Sequence, residues 1–399
     1  MKKLEKSVPV IRFKGFSEAW EQRKFIEIIN RLSKTSNSSI LPKVEYEDII
    51  AEEGRLNKDI SNKFDSRKGI LFQPNNILYG KLRPYLKNWL YPDFKGVAVG
   101  DFWVFEAIEA TPRFIYNLIQ TDSYQKVAND TAGTKMPRSD WTKVSNSSFF
   151  IPKESSEQKR IGSFFKQLDN TIALHQHKLD TLKQMKKGFS QQIFPENDRK
   201  KPKIRFNSFC EEWEQRKIGE YGYFYYGKSA PKWSVTQDAT TPCVRYGELY
   251  TKFGPEIDIV HSYTNIDKSN LKFSSGNEVL VPRVGENPLD FANCSWLSLS
   301  NVAIGEMISV YNTEQYPLFI AYYFRSKMKY EFAKRVEGGN VSNLYYSYLE
   351  DILISVPSID EQKKIAEFLN KIDITINLLQ NKLDRIKELK KAYLQNMFI

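Results

Sequence analysis

The sequence carries one long stretch twice, as EQKRIGSFFKQLDNTIALHQHKLDTLKQMKKGFSQQIF at Glu157–Phe194 and as EQKKIAEFLNKIDITINLLQNKLDRIKELKKAYLQNMF at Glu361–Phe398. About half of the aligned positions are identical, and most of the others exchange similar residues. Neither copy contains proline, and both are rich in residues that favour helices. We therefore predict two long helices, each roughly 55–60 Å in length at about 1.5 Å per residue.

Apolar residues recur in both copies at alternating steps of four and three, which is typical of the a/d seam of a coiled coil. A seam of this length is not left exposed to water, so we predict that the two helices bury it against each other as an intramolecular antiparallel coiled coil. Lys186 and Lys390 occupy equivalent a positions, where a polar residue costs stability but can fix the register. The seam residues are Ile161, Phe165, Leu168, Ile172, Leu179, Leu182, Ile365, Leu369, Ile372, Ile376, Leu379, Leu383 and Ile386.

The start of each helix carries a capping-box pattern, Ser155-x-x-Gln158 in the first copy and Ser358-x-x-Glu361 in the second. In such a box the serine and the residue three positions later satisfy each other's backbone N–H groups.

The duplication extends beyond the helices, because IRFKGFSEAWEQRK (Ile11–Lys24) returns as IRFNSFCEEWEQRK (Ile204–Lys217). We call these two segments the tags. The fold class predicted is α+β, with two tandem mixed α/β domains, two long helices and pseudo-two-fold symmetry. The predicted segments are a first globular domain at 1–153 (tag at 11–24), a helix at 154–194, a linker at 195–203, a second globular domain at 204–357 and a helix at 358–399.

Within the globular parts, short apolar runs bounded by Gly, Pro and Asn predict strands. The predicted strands are Ile77–Tyr79, Val97–Phe105, Val279–Val281 and Val302–Val310. Predicted helices cover Arg113–Val127 and Leu318–Val336. Further segments match between the halves, among them Pro42–Tyr46 with Pro242–Tyr246, and Asn76–Arg83 with Asn277–Arg283.

The formal net charge of +11 favours a polyanionic partner, with nucleic acid as the first candidate. No apolar segment is long enough to cross a membrane and the start has no signal-peptide pattern, so we expect a cytoplasmic protein. Cys210, Cys243 and Cys294 are odd in number and widely spaced, and histidines are few. Neither a disulfide framework nor a metal site is therefore expected.

The sequence contains only partial matches to catalytic patterns. The segment Gly222–Ser229 formally matches the phosphate-binding loop GxxxxGK[ST], but its inner positions are bulky aromatics and Pro231 stands where a helix should follow. Glu157 and Glu361 resemble half of a nuclease motif, yet acidic residues in the first turn of a helix are expected to favour its dipole. No plausible Ser/His/Asp set is present. We predict a chain without catalytic residues, cofactors or metal of its own.

Basic and amide side chains at loop-like positions of both halves are the candidate DNA-binding residues. Arginine can bind guanine and asparagine can bind adenine in the major groove, whereas lysine mostly contacts phosphate. A solvated or structural charge is the alternative for each of them. The candidates are Lys81, Arg83, Lys135, Arg138, Lys228, Arg245, Arg283, Asn340 and Asn343.

The repeats, the tags, GKLRPYL (Gly80–Leu86), GTKMPRSDW (Gly133–Trp141) and the proline-to-EQK(R/K)I helix starts together resemble the specificity (S, or HsdS) subunit of type I restriction–modification systems. The resemblance covers essentially the whole chain. It implies that each globular part is a target recognition domain for one half of a bipartite double-stranded DNA sequence. It also implies that the helices set the gap between the halves.

The same resemblance implies partners. Two methyltransferase subunits would bind the chain and use S-adenosylmethionine, and restriction subunits would join them with ATP and Mg²⁺. The second half has VPRVGEN (Val281–Asn287) in place of GKLRP, so the residues of that motif do not transfer to it.

Two other functions stay open at this stage. One is an assembly adapter that binds proteins through its coiled coil and does not bind DNA. The other is an ATPase that uses Lys228 in a phosphate-binding loop.

Overall fold

The structure is a computed structural model that describes residues 7–63, 65–131, 135–196, 199–236 and 238–399. The chain divides into two compact units. Unit 1 comprises Met1–His177 with Gln380–Ile399, and unit 2 comprises Lys178–Leu379. Each unit therefore contains a globular half of the chain and parts of both long helices. Among the described residues, we find no helix with the length and apolar character needed to span a membrane.

The two long helices are present as predicted, whereas each shorter predicted helix is in fact two consecutive helices. A break divides the first of these at Thr121, whose hydroxyl accepts a hydrogen bond from the N–H of Tyr124 and so starts a new helix. The helices are α1 (Phe25–Ile28), α2 (Pro112–Leu118), α3 (Asp122–Ala128), α4 (Trp141–Asn146), α5 (Ser155–Gln192), α6 (Tyr246–Thr251), α7 (Pro317–Lys327), α8 (Lys329–Ala333) and α9 (Ile359–Asn396).

Unit 1 is built on two four-stranded sheets in the orders β3-β7-β10-β4 and β2-β11-β8-β9, with the pairs β1-β12 and β5-β6 beside them. In the first sheet β4 runs parallel to β10 and the other pairs are antiparallel. The strands are β1 (Glu21–Lys24), β2 (Ile29–Leu32), β3 (Thr35–Ser36), β4 (Lys43–Val44), β5 (Ile49–Ile50), β6 (Arg55–Leu56), β7 (Gly69–Phe72), β8 (Ile77–Gly80), β9 (Trp89–Leu90), β10 (Gly96–Ala98), β11 (Phe102–Ala107) and β12 (Ser148–Ile151).

Unit 2 repeats this plan with sheets in the orders β14-β23-β19-β21-β16 and β17-β15-β22-β18, a small sheet β20-β25-β24 and the pair β13-β26. Its strands are β13 (Glu214–Lys217), β14 (Gly222–Tyr226), β15 (Thr241–Val244), β16 (Glu256–Ile257), β17 (Ser262–Thr264), β18 (Phe273–Ser275), β19 (Glu278–Pro282), β20 (Val284–Gly285), β21 (Ser295–Leu297), β22 (Ser300–Ile304), β23 (Ile308–Thr313), β24 (Glu337–Gly338), β25 (Ser342–Asn343) and β26 (Leu353–Val356).

The prediction of single strands at Val97–Phe105 and Val302–Val310 is wrong in the same way in both units. Each predicted strand is two strands joined by a three-residue turn, between β10 and β11 in unit 1 and between β22 and β23 in unit 2. Gly100 (φ +104°) and Met307 (φ +63°) take left-handed backbone conformations in these turns, which an extended strand does not contain.

The tags are repeated because each has the same structural task in its own unit. In unit 1 the end of the tag forms β1, which pairs with β12 immediately before α5, and Trp20 is buried against Phe398. In unit 2 the second tag forms β13, which pairs with β26 immediately before α9, and Trp213 is buried against Phe319.

The apolar core of each unit also includes the end of the long helix that begins in the other half of the sequence. Leu394, Met397 and Phe398 from the end of α9 belong to the apolar core of unit 1. Ile193 and Phe194, which follow α5, belong to the core of unit 2. The tags hold these ends through matching backbone hydrogen bonds, from the N–H of Ile11 to Asn396 O at 2.9 Å and from the N–H of Ile204 to Gln192 O at 3.1 Å.

A buried arginine–glutamate pair anchors the start of each long helix to a tag. Arg12 donates to both carboxylate oxygens of Glu157 at 2.7 and 2.8 Å, and Arg205 donates to both oxygens of Glu361 at 2.7 Å. The glutamates are 2% and 1% exposed. The capping box predicted at Ser358 and Glu361 is therefore wrong, because the carboxylate is occupied by Arg205.

The glutamine that follows each of these glutamates links the helix start to a neighbouring loop. In unit 1 the amide of Gln158 donates to Pro152 O at 2.9 Å and accepts from the N–H of Thr111 at 2.8 Å. In unit 2 Gln362 donates to Pro357 O at 2.8 Å and accepts from the N–H of Tyr316 at 2.9 Å. The predicted box at Gln158 is thus also wrong, and the repeated Glu-Gln pair is explained by these contacts.

In unit 1 the first part of α5 packs against the last part of α9. Lys390 Nζ lies 2.8 Å from Asp169 Oδ1, and the rings of Phe164 and Tyr393 are 5.0 Å apart. The contacts advance along one helix as they recede along the other, so these segments are antiparallel. Lys390 also donates to Gln120 at 3.0 Å, which compensates the burial of its ammonium group.

In unit 2 the last part of α5 packs in the same antiparallel sense against the first part of α9. Lys186 Nζ lies 2.5 Å from Asp373 Oδ1, and the rings of Phe189 and Phe368 are 5.1 Å apart. The a-position lysine of each unit is therefore paired with an aspartate of the facing helix segment. All of the predicted seam residues are buried or half-buried.

We predict that Arg12→Ala destabilises unit 1 by about 3 kcal/mol, because it leaves the carboxylate of Glu157 buried without its cation. The midpoint of urea unfolding, followed by circular dichroism, measures this loss. Arg23→Ala is the matched control, since the Arg23–Glu27 pair is exposed and contributes little to stability. Equal losses in the two variants would contradict the structural importance of the buried pair.

Candidate nucleic-acid interface

The turn between β10 and β11 connects the basic candidates of unit 1. The backbone carbonyl of Asp101 accepts hydrogen bonds from the N–H of Lys81 at 2.9 Å and from the hydroxyl of Tyr46 at 2.5 Å. Its carboxylate accepts a hydrogen bond from Arg138 Nη2 at 3.0 Å and lies 3.5 Å from Lys81 Nζ. Asp101 thus brings together two of the four candidates predicted in this half.

The charge state of Asp101 follows from these contacts. Partial burial favours its neutral form, but the hydrogen bond from Arg138 and the charges of Arg138 and Lys81 outweigh burial and lower the pKa of the carboxyl. The group is ionised at neutral pH. The side chain of Arg138 is 53% exposed, so its remaining N–H groups face solvent while one is held by Asp101.

Two loops are joined at this position. The N–H of Arg83 donates to Pro137 O at 2.7 Å, and Leu82 forms a β-bridge with Arg138. Arg83 has φ +49°, an uncommon conformation for a residue other than glycine, and its side chain is exposed. The segment after β8 and the segment before α4 therefore form one surface.

Lys135 is exposed at the start of the second loop. Gly133 and Thr134, which belong to the GTKMPRSDW motif, lie outside the described residues. Exposed Tyr85 (56%) and Met136 (47%) stand among the basic side chains of the two loops. Sequence reasoning missed both of them, although a tyrosine directly after the sequence Arg-Pro in a polar loop is a usable signal for an exposed aromatic ring.

In unit 2 the turn between β22 and β23 occupies the same place in the fold. The N–H of Lys228 donates to Ile304 O at 2.9 Å, just before this turn, and the N–H of Arg283 donates to Met307 O at 3.1 Å, within it. The side chain of Lys228 is exposed. Two of the five candidates of this half therefore flank one turn.

Arg245 flanks the same turn from the other side. It follows β15, whose last residue Val244 accepts a hydrogen bond from the N–H of Gly305 at 2.9 Å. Its own N–H donates to the carboxylate of Glu248 at 3.0 Å, which fixes the start of α6. The residue is half-buried.

Arg283 is held between aromatic rings. Its guanidinium carbon lies 4.7 Å from the ring centroid of Tyr226 and 5.7 Å from that of Tyr345. Such cation–π contacts stabilise the folded loop. Its Nε is buried and has no hydrogen-bond partner among the described residues. A structural contribution is therefore established for this residue by its contacts.

Asn343 lies in β25, opposite Val284, and so stands beside Arg283. Its side chain is half-buried, and none of the hydrogen bonds found between described residues uses its amide. Asn340 is exposed in the connection between β24 and β25. The contacts described above thus link four candidates of this half to one turn, and Asn340 is not among them.

Hydrogen bonds show which residues of the two units are equivalent. The carbonyl of Lys81 accepts from the N–H of Ser139 at 2.9 Å, and the carbonyl of Arg283 accepts from the N–H of Leu344 at 2.8 Å. Lys81 therefore corresponds to Arg283. The sequence match of Asn76–Arg83 with Asn277–Arg283 is therefore out of register, by one residue at its start and by two at its end.

The match of Pro42–Tyr46 with Pro242–Tyr246 is correct. The N–H of Val99 donates to Val44 O at 2.9 Å, as the N–H of Gly305 does to Val244 O. By the same geometry Asp101 corresponds to Met307, and Arg138 corresponds to Asn343.

The segment Gly222–Ser229 does not have the geometry of a phosphate-binding loop. Gly222–Tyr226 forms β14, paired with β23, and only the short 3-10 helix Lys232–Ser234 follows. A nucleotide loop requires a strand before it and a helix that opens at its end, so the ATPase interpretation of Lys228 is wrong. Within the described ranges, no cluster of three or more His, Cys, Asp or Glu residues could hold a metal ion.

Comparison with known proteins agrees with this two-unit organisation. The family model described as type I restriction modification DNA specificity domain matches twice, at residues 18–184 and 210–388.

Two curated proteins of Methanocaldococcus jannaschii are similar. The first, named as the specificity subunit of type I restriction enzyme MjaX, is 26% identical over 59% of this chain. The second, the MjaVIII specificity subunit, is 25% identical over 69% of this chain. The matches span 55% and 66% of the lengths of these two relatives.

Two solved structures share the fold along nearly the whole chain. The S subunit of a type I restriction–modification system from M. genitalium has a TM-score of 0.64 and 11% identity, with 98% of this chain and 99% of that chain covered. A chain from a study of complex assembly and conformational transition in the type I system has a TM-score of 0.54 and 16% identity, with 94% and 96% covered. Because the family model matches most of the sequence, in both halves, this chain belongs to the type I restriction modification DNA specificity family.

Proposed function

We propose that this chain is the non-catalytic specificity subunit of a type I restriction–modification complex and acts in the cytoplasm. Unit 1 recognises one half of a bipartite double-stranded DNA target, and unit 2 recognises the other. The observation that carries the proposal is that both units present the same turn with different side chains. Asp101 and Arg138 in unit 1 correspond to Met307 and Asn343 in unit 2. Two domains that recognise different half-sites need different side chains at equivalent positions of the same backbone arrangement.

The electrostatics support DNA as the partner. The chain carries a net charge of +11. Arg83 and Lys135 are exposed at the unit 1 site, and Lys228 is exposed at the unit 2 site. These side chains contact phosphates and position the protein, while the residues at the turns contact base edges.

The long helices set the distance between the half-sites. One turn of B-DNA is about 34–36 Å, and two domains that contact the same face of the duplex have to be separated by roughly that distance. Helices of 38 residues each have the length to impose it. The lysine–aspartate pairs on the facing helix segments support a fixed register, because a shift would leave these charges unpaired.

The helices also provide the surface for the methyltransferase subunits. Some of their large apolar side chains are exposed, although the seam is buried. The most exposed of these are Leu174 and Leu389 in unit 1, and Met185, Ile374 and Leu378 in unit 2. Two methyltransferase subunits bind there and bring S-adenosylmethionine, and restriction subunits join with ATP and Mg²⁺.

The helix length gives a first prediction. A chain in which the heptads Asp169–His175 and Asp373–Leu379 are both duplicated has helices longer by roughly 10 Å, so the unspecified spacer in the DNA target lengthens by about three base pairs. Genome-wide mapping of methylated sites, after co-expression with the methyltransferase subunit, measures the spacer. Seven residues inserted after Lys201 are the control and leave the spacer unchanged. An unchanged spacer in the heptad variant would refute the role of the helices.

The phosphate contacts give a second prediction. In the double variant Arg83→Ala with Lys135→Ala, the association constant for DNA falls less steeply with salt. The slope of its logarithm against the logarithm of the salt concentration decreases in magnitude by about two, since each lost phosphate contact removes about 0.9. Gel shifts at several salt concentrations measure this, with Lys24→Ala, an exposed lysine of β1, as the control. An assembly adapter would instead bind its protein partners and show no salt-dependent DNA binding.

The apolar positions on the helices give a third prediction. Leu378→Glu weakens binding of the methyltransferase subunit by roughly tenfold or more, because a charge replaces an apolar contact. The folded chain tolerates the change, since Leu378 is 65% exposed. Calorimetric titration compares it with Asn377→Glu, an exposed neighbour on another face of α9. Equal affinities for both variants would exclude this surface.

A further inference from the structure

In each unit, one residue of the turn and one residue of a neighbouring segment occupy equivalent positions, and the chemistry of the two pairs differs. Resting on the function proposed above, we infer that Asp101 and Arg138 make unit 1 select a G·C base pair at one position of its half-site. By the same placement, Met307 and Asn343 make unit 2 select an A·T base pair. The two domains thus share one recognition position, and two residues determine its specificity.

The equivalence rests on the backbone. In unit 1 the carbonyl of Asp101 accepts the N–H of the first residue after β8, and in unit 2 the carbonyl of Met307 accepts the N–H of the first residue after β19. The following residue pairs with Arg138 in unit 1 and with Asn343 in unit 2. A base edge that reaches this turn meets the same two side-chain positions in either unit.

In unit 1 the two side chains match a G·C pair. Guanine presents the acceptors O6 and N7 in the major groove, and cytosine presents its N4 amino group beside them. The free N–H groups of Arg138 suit the two acceptors. The carboxylate of Asp101 accepts a hydrogen bond from Arg138 through Oδ2 at 3.0 Å, and its Oδ1 lies 3.5 Å from Lys81 Nζ. Each oxygen keeps a further lone pair that suits the cytosine amino group. An adenine at this position would direct its own N6 donor toward Arg138 and would be rejected.

In unit 2 the two side chains match an A·T pair. The amide of Asn343 has a donor and an acceptor, as needed for adenine N7 and N6, and no described residue occupies it. Met307 is half-exposed and uncharged, and it suits the methyl group of thymine. Its φ of +63° fixes the direction in which the turn presents the side chain. A guanine would be left without the two donors that it needs.

Exchange of the pairs tests the inference. One variant carries Asp101→Met with Arg138→Asn, and the reciprocal variant carries Met307→Asp with Asn343→Arg. Each is co-expressed with the methyltransferase subunit, and methylated sites are mapped genome-wide. In the first variant one position of the unit 1 half-site changes from G·C to A·T, with a preference of roughly tenfold or more, while the unit 2 half-site stays the same. The reciprocal variant changes the other half-site from A·T to G·C.

The unaltered half-site reports in each case that the chain has folded and assembled. The control is Arg23→Asn with Glu27→Met, an exposed ion pair of unit 1 away from the turn, which changes neither half-site. Asp101→Asn alone keeps the shape of the side chain and removes its charge, so it relaxes the preference at the same single position.

Three outcomes overturn the inference: both half-sites unchanged in the exchanged variants, a change at other positions only, or loss of all methylation in both variants at an unaltered melting temperature. A wild-type chain that specifies no bipartite target would instead overturn the proposed function itself. The two failures are therefore distinguished by the wild-type experiment.

Discussion

The burial of one apolar seam on each of two long helices is the constraint on which the rest of the structure depends. Neither α5 nor α9 can remain folded alone in water with this surface exposed. Antiparallel segments satisfy the constraint in both units. The lysine of one helix faces an aspartate of the other, at Lys390–Asp169 and at Lys186–Asp373, so the seam has one preferred register. Charge and apolar contact thus specify the same pairing.

The tags connect the long helices to the globular parts. Each tag supplies a strand next to the start of one long helix and an arginine for its first turn. The pairs Arg12–Glu157 and Arg205–Glu361 are almost completely buried on the carboxylate side, so the angle at which each helix leaves its domain is firmly held. A recognition surface can be placed reproducibly only if the helix beneath it is held in this way.

The features predicted correctly from the sequence are those with a repeated or periodic signal. The two helices, the tags and the duplication are all visible as patterns that extend over many residues. The features missed depend on single residues in contact across the fold. The turns at Gly100 and Met307 interrupt runs of apolar residues that look continuous, and the positions of Asp101 and Met307 at the site are set by bonds to distant loops. The sequence pattern Gly-Asp within an apolar run is the one local signal for the first turn.

The candidate residues show the same division. Basic side chains in loops are easily found, and the structure gathers most of them around one turn in each unit. Sequence reasoning did not separate Arg283, which is held between Tyr226 and Tyr345, from Lys228, which is exposed. That distinction requires tertiary contacts. It also did not suggest an acidic residue within a basic surface, because the value of Asp101 lies in its contact with Arg138.

Because each unit contains the end of a long helix that begins in the other half of the sequence, truncation of the chain removes part of a core. If the chain stops in the linker, the core of unit 1 lacks Leu394, Met397 and Phe398. The apolar side chains that these residues cover are then exposed to water. The end of α5 is the repeat of this missing segment. A half-length chain therefore exposes this apolar surface unless an equivalent segment, such as the end of α5 from a second copy, covers it.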